Sequence, residues 1–241
     1  MAIKRKQDLH KSNVLTISVA SLLITIVIFL SLLMLGSILN QSREHVIDTK
    51  IERLYGDLNT IQMLTLITNT YDNEMACLVF EENIKDLDSY IWELGQDIDK
   101  YRAATEEFQK SEYYQTQKKA FNSHQFSYFL LMKNMVDRCN ISKDVILYFY
   151  VNSADCNKCD DQSFILTDIS ELDDKDGVKD IAIFSFDMDL NITSISILAK
   201  YYEVDHYPCL IINEQTYCGI QGRDFILEKI CSDNSSINVC Q

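Results

Sequence analysis

The sequence predicts an α+β protein in three parts: an amino-terminal transmembrane helix, a membrane-proximal region of three helices, and a carboxy-terminal α/β domain. Three observations carry this. Residues 12–42 hold no charged side chain. Residues 41–140 contain no proline and repeat apolar side chains at heptad spacing. Beyond residue 144, β-prone apolar runs alternate with short helical patterns. The implied segments are 1–11 as a basic tail, 12–40 as the span, 41–140 as a helical bundle or stalk, 141–231 as the α/β domain and 232–241 as a cysteine-containing tail.

The span comes first. Val14 to Leu39 is apolar almost throughout, and about 20 such residues at 1.5 Å each cross a ~30 Å hydrocarbon core. A cleaved signal peptide has an apolar stretch of only about 7–15 residues, so a retained single-pass anchor is expected, with residues 14–39 in the lipid bilayer. Lys4, Arg5, Lys6 and Lys11 precede it against one acid, Asp8. This bias keeps the amino end in the cytoplasm and places the remainder outside the cell membrane.

The whole chain carries a formal charge of −14, and the exported part is more negative still. Anionic headgroups repel such a surface, so the helix and not surface attraction is expected to hold it. Basic residues cluster only at the amino end, which excludes a nucleic-acid binder. All eight cysteines follow the span, on the expected outer side where disulfides persist. N-x-S/T triplets at Asn140, Asn191 and Asn234 lie there too, a weak glycosylation signal.

In the membrane-proximal region, Ile47, Ile51, Leu54, Leu58 and Ile61 form one seam, and Leu87, Ile91, Leu94, Ile98 and Tyr101 a second. A more aromatic third runs through Tyr114, Phe121, Tyr128, Leu131 and Met135. Breaks are expected at Asn69–Asn73 and Ala103–Ser111. An antiparallel bundle or a homodimer through helices 41–140 would both hide the seams. A ligand-sensing reading would line a pocket with His124 and the Tyr/Phe stripe. Such stripes are ordinarily core and a lone His ordinarily a satisfied polar group, which favours a spacer or platform. Trp92 sits one position off its seam, as a boundary residue with a wet indole N–H would.

Around residue 144 the pattern becomes strand-like. Val145–Val151 is an apolar run suited to a strand covered on both faces. The loop Asn152–Asp155 then delivers Cys156-Asn-Lys-Cys159, followed by a helix over Asp160–Leu172. Two intervening residues at a helix start bring both sulfurs within bonding reach. The first is exposed beyond the helix end, where the dipole lowers its pKa, and the second is shielded one turn in. Cys156 is therefore the expected nucleophile and Cys159 the resolving thiol. A strand at Ile181–Phe186 follows, then a helix through Leu190–Val204. After these comes His206–Asn213, headed by Pro208, the protein's one proline. A hairpin turning through Asn213-Glu-Gln215 into Thr216–Ile220 and a helix over Arg223–Cys231 complete the order.

The order strand–CxxC–helix, strand–helix, X-Pro-strand, strand, helix resembles the thioredoxin superfamily from about Val145 to Cys231. The resemblance implies a thioredoxin-like domain in which Pro208 is cis and lies beside the reactive disulfide, with the backbone of Tyr207 pairing with substrate chain. The chain departs from many members in carrying Asn157-Lys158 between the cysteines, and Tyr148 and Tyr150 where an acid is commonly buried. Asp155, Asp160 and Asp161 raise a nearby thiol pKa and Lys158 lowers it. A reducing or isomerase-like couple is expected rather than a strong oxidant.

The function expected is a membrane-anchored thiol–disulfide oxidoreductase acting on cysteines of exported proteins. It would need no cofactor, and a redox partner would reset it. The alternative is a non-catalytic thioredoxin-fold protein in which Cys156–Cys159 is an inert staple. A metal site from Cys156, Cys159 and His206 is disfavoured by spacing. The remaining six cysteines allow fifteen pairings. Cys231 with Cys240 would staple the last helix to the tail, and Cys77 with Cys139 would clamp the membrane-proximal helices. Cys209 and Cys218 lie on paired strands but not clearly opposite. Cys209 follows Pro208 directly and is a candidate accessory thiol, though a structural staple is the favoured role.

Overall fold

The computed structural model describes the chain except residues 1, 72, 103–109, 140, 142, 152–155, 174–179, 234–239 and 241. Asn140, Asn234, Asp155, most of the second helical break and the side chain of Tyr101 lie outside the described residues. The order is α1 (Ala2–Tyr71), α2 (Asn73–Arg102), α3 (Glu112–Cys139), β1 (Asp144–Tyr150), α4 (Cys159–Leu172) and β2 (Ile181–Asp187). A 3₁₀ turn (Met188–Leu190), α5 (Thr193–Tyr201), β3 (Cys209–Ile212), β4 (Gln215–Cys218) and α6 (Arg223–Asp233) follow. The protein is thus α+β, with a four-stranded mixed sheet.

The chain divides into two compact units, Met1–Asp48 and Thr49–Gln241. The first contains Val19–Ile38, a 20-residue stretch of mean hydropathy 2.7 with no part of it buried in the fold. At 1.5 Å per residue it is long enough, at about 30 Å, to cross a bilayer.

In the second unit the seams turn inward. Leu54, Leu58, Leu94, Phe121, Tyr128 and Met135 are all buried, as an amphipathic three-helix arrangement requires. Neighbouring helices run antiparallel. Lys50 pairs with Asp97 at 2.5 Å, and the Tyr90 hydroxyl donates to the Lys50 carbonyl at 2.8 Å. From α2 to α3, Cys77 is bonded to Cys139 and Gly95 faces Phe121. A Cβ at Gly95 would lie 3.3 Å from the Phe121 ring, so glycine permits this close approach.

The sheet order is β2-β1-β3-β4, with β1 parallel to β2 and antiparallel to β3. Side chains alternate between its faces. Ile146, Tyr148, Ile181, Leu210 and Ile212 pack with Leu166 and Ile169 of α4 and Ile226 and Ile230 of α6. On the other face Phe126 and Phe129 of α3 meet Phe184 and Phe186 edge-on, with ring centroids 5.5–6.5 Å apart. The buried Lys118 of α3 pairs with Asp187 at the end of β2. Helix α3 therefore docks on the sheet and joins the helical region to the α/β domain in one compact unit.

Two elements differ from the sequence pattern. The helix expected over Leu190–Val204 is confined to Thr193–Tyr201. Asn191 in the left-handed region (φ 50°) ends the preceding 3₁₀ turn. Glu203 (φ 55°) closes α5, with its N–H on Lys200 O and that of Val204 on Ala199 O, the hydrogen-bond pattern of a Schellman cap. The β3–β4 turn spans two residues, Asn213 and Glu214, both left-handed (φ 50° and 61°), as a type I′ hairpin demands. The Asn213 side chain donates to Lys229 O at 2.9 Å. This shorter turn sets Cys209 directly opposite Cys218.

Candidate functional site

The buried strand β1 ends at Tyr150, and α4 opens at Cys159. Cys156 and Cys159 are bonded to each other, with Cα atoms 5.5 Å apart. Cys159 is only 3% exposed, whereas Cys156 is half-buried, so solvent reaches the first sulfur before the second. The amino end of α4 carries no side-chain cap, which leaves the positive end of its dipole facing the pair. Asp160 and Asp161 in its first turn oppose that field.

The register gathers the other site residues at the same end of the sheet. Tyr150 lies beside Asp187, and Phe149 beside Cys209. Tyr207–Pro208, a cis peptide, heads β3 there. Pro208 O accepts from Gly219 N–H at 2.7 Å, a position where φ is +86° and glycine is needed. Burial, with the nearby Asp189 carboxylate adding to it, pushes the Tyr207 hydroxyl pKa up.

The sequence pattern gave no signal for the residues that tie these parts together. Gln162, fully buried in α4, accepts from Gln221 N–H at 2.7 Å and donates to Gln221 O at 3.3 Å. Gln221 Nε2 donates in turn to the carbonyls of Cys218 and Gly219. The loop after β4 is thereby latched to the helix that carries the cysteines. Neither glutamine stands at a spacing that marks it, because the contact joins positions 59 residues apart.

Behind the pair, the Tyr148 hydroxyl donates to Cys159 O at 2.6 Å, and its ring stacks on Tyr150. A pocket of about 40 Å³ adjoins Cys159, lined by Tyr148, Tyr150, Ser163 and Ser185 with the carboxylates of Asp99 and Asp160. Asp99 belongs to α2, so the helical region supplies an acid where the strand itself presents tyrosines.

The other cysteines form Cys77–Cys139, Cys209–Cys218 and Cys231–Cys240. Four disulfides suit an oxidising environment. Cys209 is fully buried and committed to Cys218, so it offers no free accessory thiol in this state. His206 is exposed and contacts the Asp205 carboxylate at 2.6 Å. Among the described residues, the cluster of metal-ligating type is Asp205, His206 and Cys218. It includes neither Cys156 nor Cys159, and its sulfur is bonded to Cys209. His124 packs against the Tyr55 ring at 5.4 Å, and burial lowers its pKa. Asn191 is exposed, and its side-chain amide donates to Asp189 O.

No family model, no curated protein and no solved structure matches this chain.

Proposed function

We propose that the protein is a membrane-anchored thiol–disulfide oxidoreductase of reductase or isomerase type, acting through Cys156 and Cys159 on cysteines of exported proteins. One observation carries the reading. A half-buried Cys156 precedes a buried Cys159 at the amino end of α4, at the sheet end where Tyr207–Pro208 also sits. Together with the order of strands and helices, this supports a thioredoxin-like domain over 141–231. The basic amino end and the apolar helix support an anchor with the amino terminus cytoplasmic and the domain outside.

In the reducing direction the Cys156 thiolate attacks one sulfur of a substrate disulfide. A Cys156–substrate disulfide forms, and the other substrate sulfur leaves as a thiolate that takes up a proton. Cys159, losing its proton, attacks Cys156 Sγ and expels the second substrate thiol. Two electrons have passed to the substrate, and the Cys156–Cys159 disulfide remains for a thiol redox partner to reduce. Isomerisation uses the first step and its reversal at a different substrate sulfur. Electrons move between sulfurs throughout, so no cofactor is called for. The Tyr207 backbone, at the head of β3, is placed in this reading to pair with substrate chain.

The acids Asp160 and Asp161 favour the protonated thiol and the dipole favours the thiolate, which gives a reducing or isomerase-like couple. Insulin reduction and refolding of a scrambled disulfide protein test the proposal. Wild type is expected to accelerate both and Cys156→Ser neither, and identical curves for the two proteins would remove it. Equilibration with glutathione fixes the direction of exchange.

A further inference from the structure

Asn191-Ile192-Thr193 lies between the end of β2 and the first residue of α5, outside the sheet ladder. Its first and third residues are exposed. Asn191 closes the 3₁₀ turn in the left-handed region (φ 50°, ψ 45°), a conformation that asparagine tolerates and that by itself accounts for an asparagine there. It does not account for Thr193. The N-cap of α5 is Ile192, which makes no side-chain cap, so the threonine stands one residue past the position where its hydroxyl would cap the helix. The fold thus presents to solvent an amide and a hydroxyl two residues apart, the acceptor pattern for an N-linked sugar on a surface loop.

We propose that Asn191 is a modification site that carries an N-linked oligosaccharide on Nδ2. The inference rests on the outward orientation of the domain proposed above and not on the exchange chemistry. The donor is an oligosaccharide held on a lipid pyrophosphate, and a membrane-bound oligosaccharyltransferase transfers it on the outer side. Nδ2 forms a bond to the anomeric carbon of the sugar, and the bond from that carbon to the pyrophosphate oxygen breaks. The amide gives up one proton to the transferase, and the lipid pyrophosphate leaves. No oxidant or reductant takes part. The fold accommodates the product. A primary amide has two N–H groups, and one of those on Asn191 donates to Asp189 O at 3.1 Å; the sugar replaces the other. The side chain is exposed and that bond stays within its own turn, so the sugar projects into solvent.

Translation of the full chain into microsomal vesicles that hold the transferase and its donor tests this. Trypsin releases residues 180–200, in which Asn191 is the one asparagine, so peptide mass assigns the site without interference from other triplets. Peptide N-glycosidase in heavy-oxygen water is expected to convert Asn191 to Asp with uptake of the label, a change absent from untreated protein. Thr193→Ala is expected to lose this signal and Thr193→Ser to keep it. Both are read on a digested peptide, so a folding defect in either variant does not blur the result. External protease applied to intact vesicles reports the orientation separately. An unlabelled Asn191 in a domain protected from that protease would overturn the site alone, and a label that survives Thr193→Ala would overturn it too. A domain digested from outside the vesicles would overturn the outward orientation and this inference with it.

Discussion

Gln162 and Gln221 exchange two hydrogen bonds between a buried side chain on α4 and the backbone of the loop after β4. The same loop holds Pro208 through the Gly219 N–H, so two glutamines and a glycine connect the cysteine-bearing helix to the loop that heads β3. Replacing Gln162 by Leu removes both partners from the half-buried Gln221 backbone. Stability is expected to fall by about 1–3 kcal/mol, with amide exchange at Gln221 accelerating more than at the core strands. Gln162→Glu keeps an acceptor for the Gln221 N–H and should restore part of that protection. Unchanged exchange at Gln221 in Gln162→Leu would show that the latch does not hold the loop.

If Cys156 attacks and Cys159 resolves, the two serine variants separate the steps. Cys159→Ser cannot expel substrate from the mixed disulfide, so a covalent adduct through Cys156 is expected to accumulate with a disulfide-bonded substrate. Cys156→Ser should form none, because its remaining sulfur is buried. Intact-mass measurement after acid quenching reads both. Adducts in equal yield from the two variants would count against the assigned roles.

Much of this architecture was legible in the residues, because local patterns declare local structure. The uncharged run announced a helix, the heptad seams announced buried faces, and the run at Val145–Val151 announced a strand covered on both sides. What stayed hidden was non-local. Glu214 in a left-handed turn has no sequence signature, since Gly, Asn or Asp is the usual occupant, and that one residue decided whether Cys209 faces Cys218. Lys118 reads as a solvated charge until Asp187 is brought against it from 69 residues away. Gln162 and Asp99 entered the site the same way, through packing of segments whose own patterns carry no mark of it.

The Lys118–Asp187 pair joins α3 to the end of β2 with both side chains nearly free of solvent contact, at 4% and 2% exposure. Asp187 also accepts from Asp189 N–H, while its own N–H donates to Asn122 Oδ1. Lys118→Met leaves a buried carboxylate without its counter-charge, and the expected loss is about 3–5 kcal/mol. Adding Asp187→Asn removes the orphan charge and keeps an oxygen for Asp189, so the double variant should recover most of that stability. Urea denaturation of the four proteins in the cycle gives the coupling. Additive losses would show that the two groups do not depend on one another.

Tyr128 donates to Asp88 from the core of the helical region. Burial, reinforced by the Asp88 charge and hydrogen bond, holds its pKa well above the ordinary value of 10.0. A phenol whose folded pKa is raised stays protonated after the unfolded chain has released its proton. Its contribution is whole below about pH 10 and is lost as the pH climbs toward the folded value, at up to about 1.4 kcal/mol per unit. Tyr90 and Tyr207, also raised by burial, add to the total slope, so the comparison with Tyr128→Phe isolates one group. That variant is expected to be less stable at neutral pH, where Asp88 loses a donor, and to decline less steeply above pH 10. Parallel urea midpoints for the two proteins across that window would refute the assignment.

The Cys77–Cys139 bond closes a loop of sequence separation 62 and ties the start of α2 to the end of α3. In the chain-entropy account a loop of that length restricts the unfolded state by about 4 kcal/mol, so the Cys77→Ser/Cys139→Ser protein should unfold at a distinctly lower urea concentration. The proposed exchange chemistry should survive the change. Cys139 precedes the first residue of β1, whereas Cys156 follows its last, and seven strand residues at 3.3 Å each separate those ends by about 23 Å. A clamp at one end of the sheet therefore has no direct bearing on a sulfur at the other, and insulin reduction well below the unfolding midpoint is expected to match wild type. Loss of turnover without loss of stability would instead place Cys77 and Cys139 in the electron path and overturn their purely structural role.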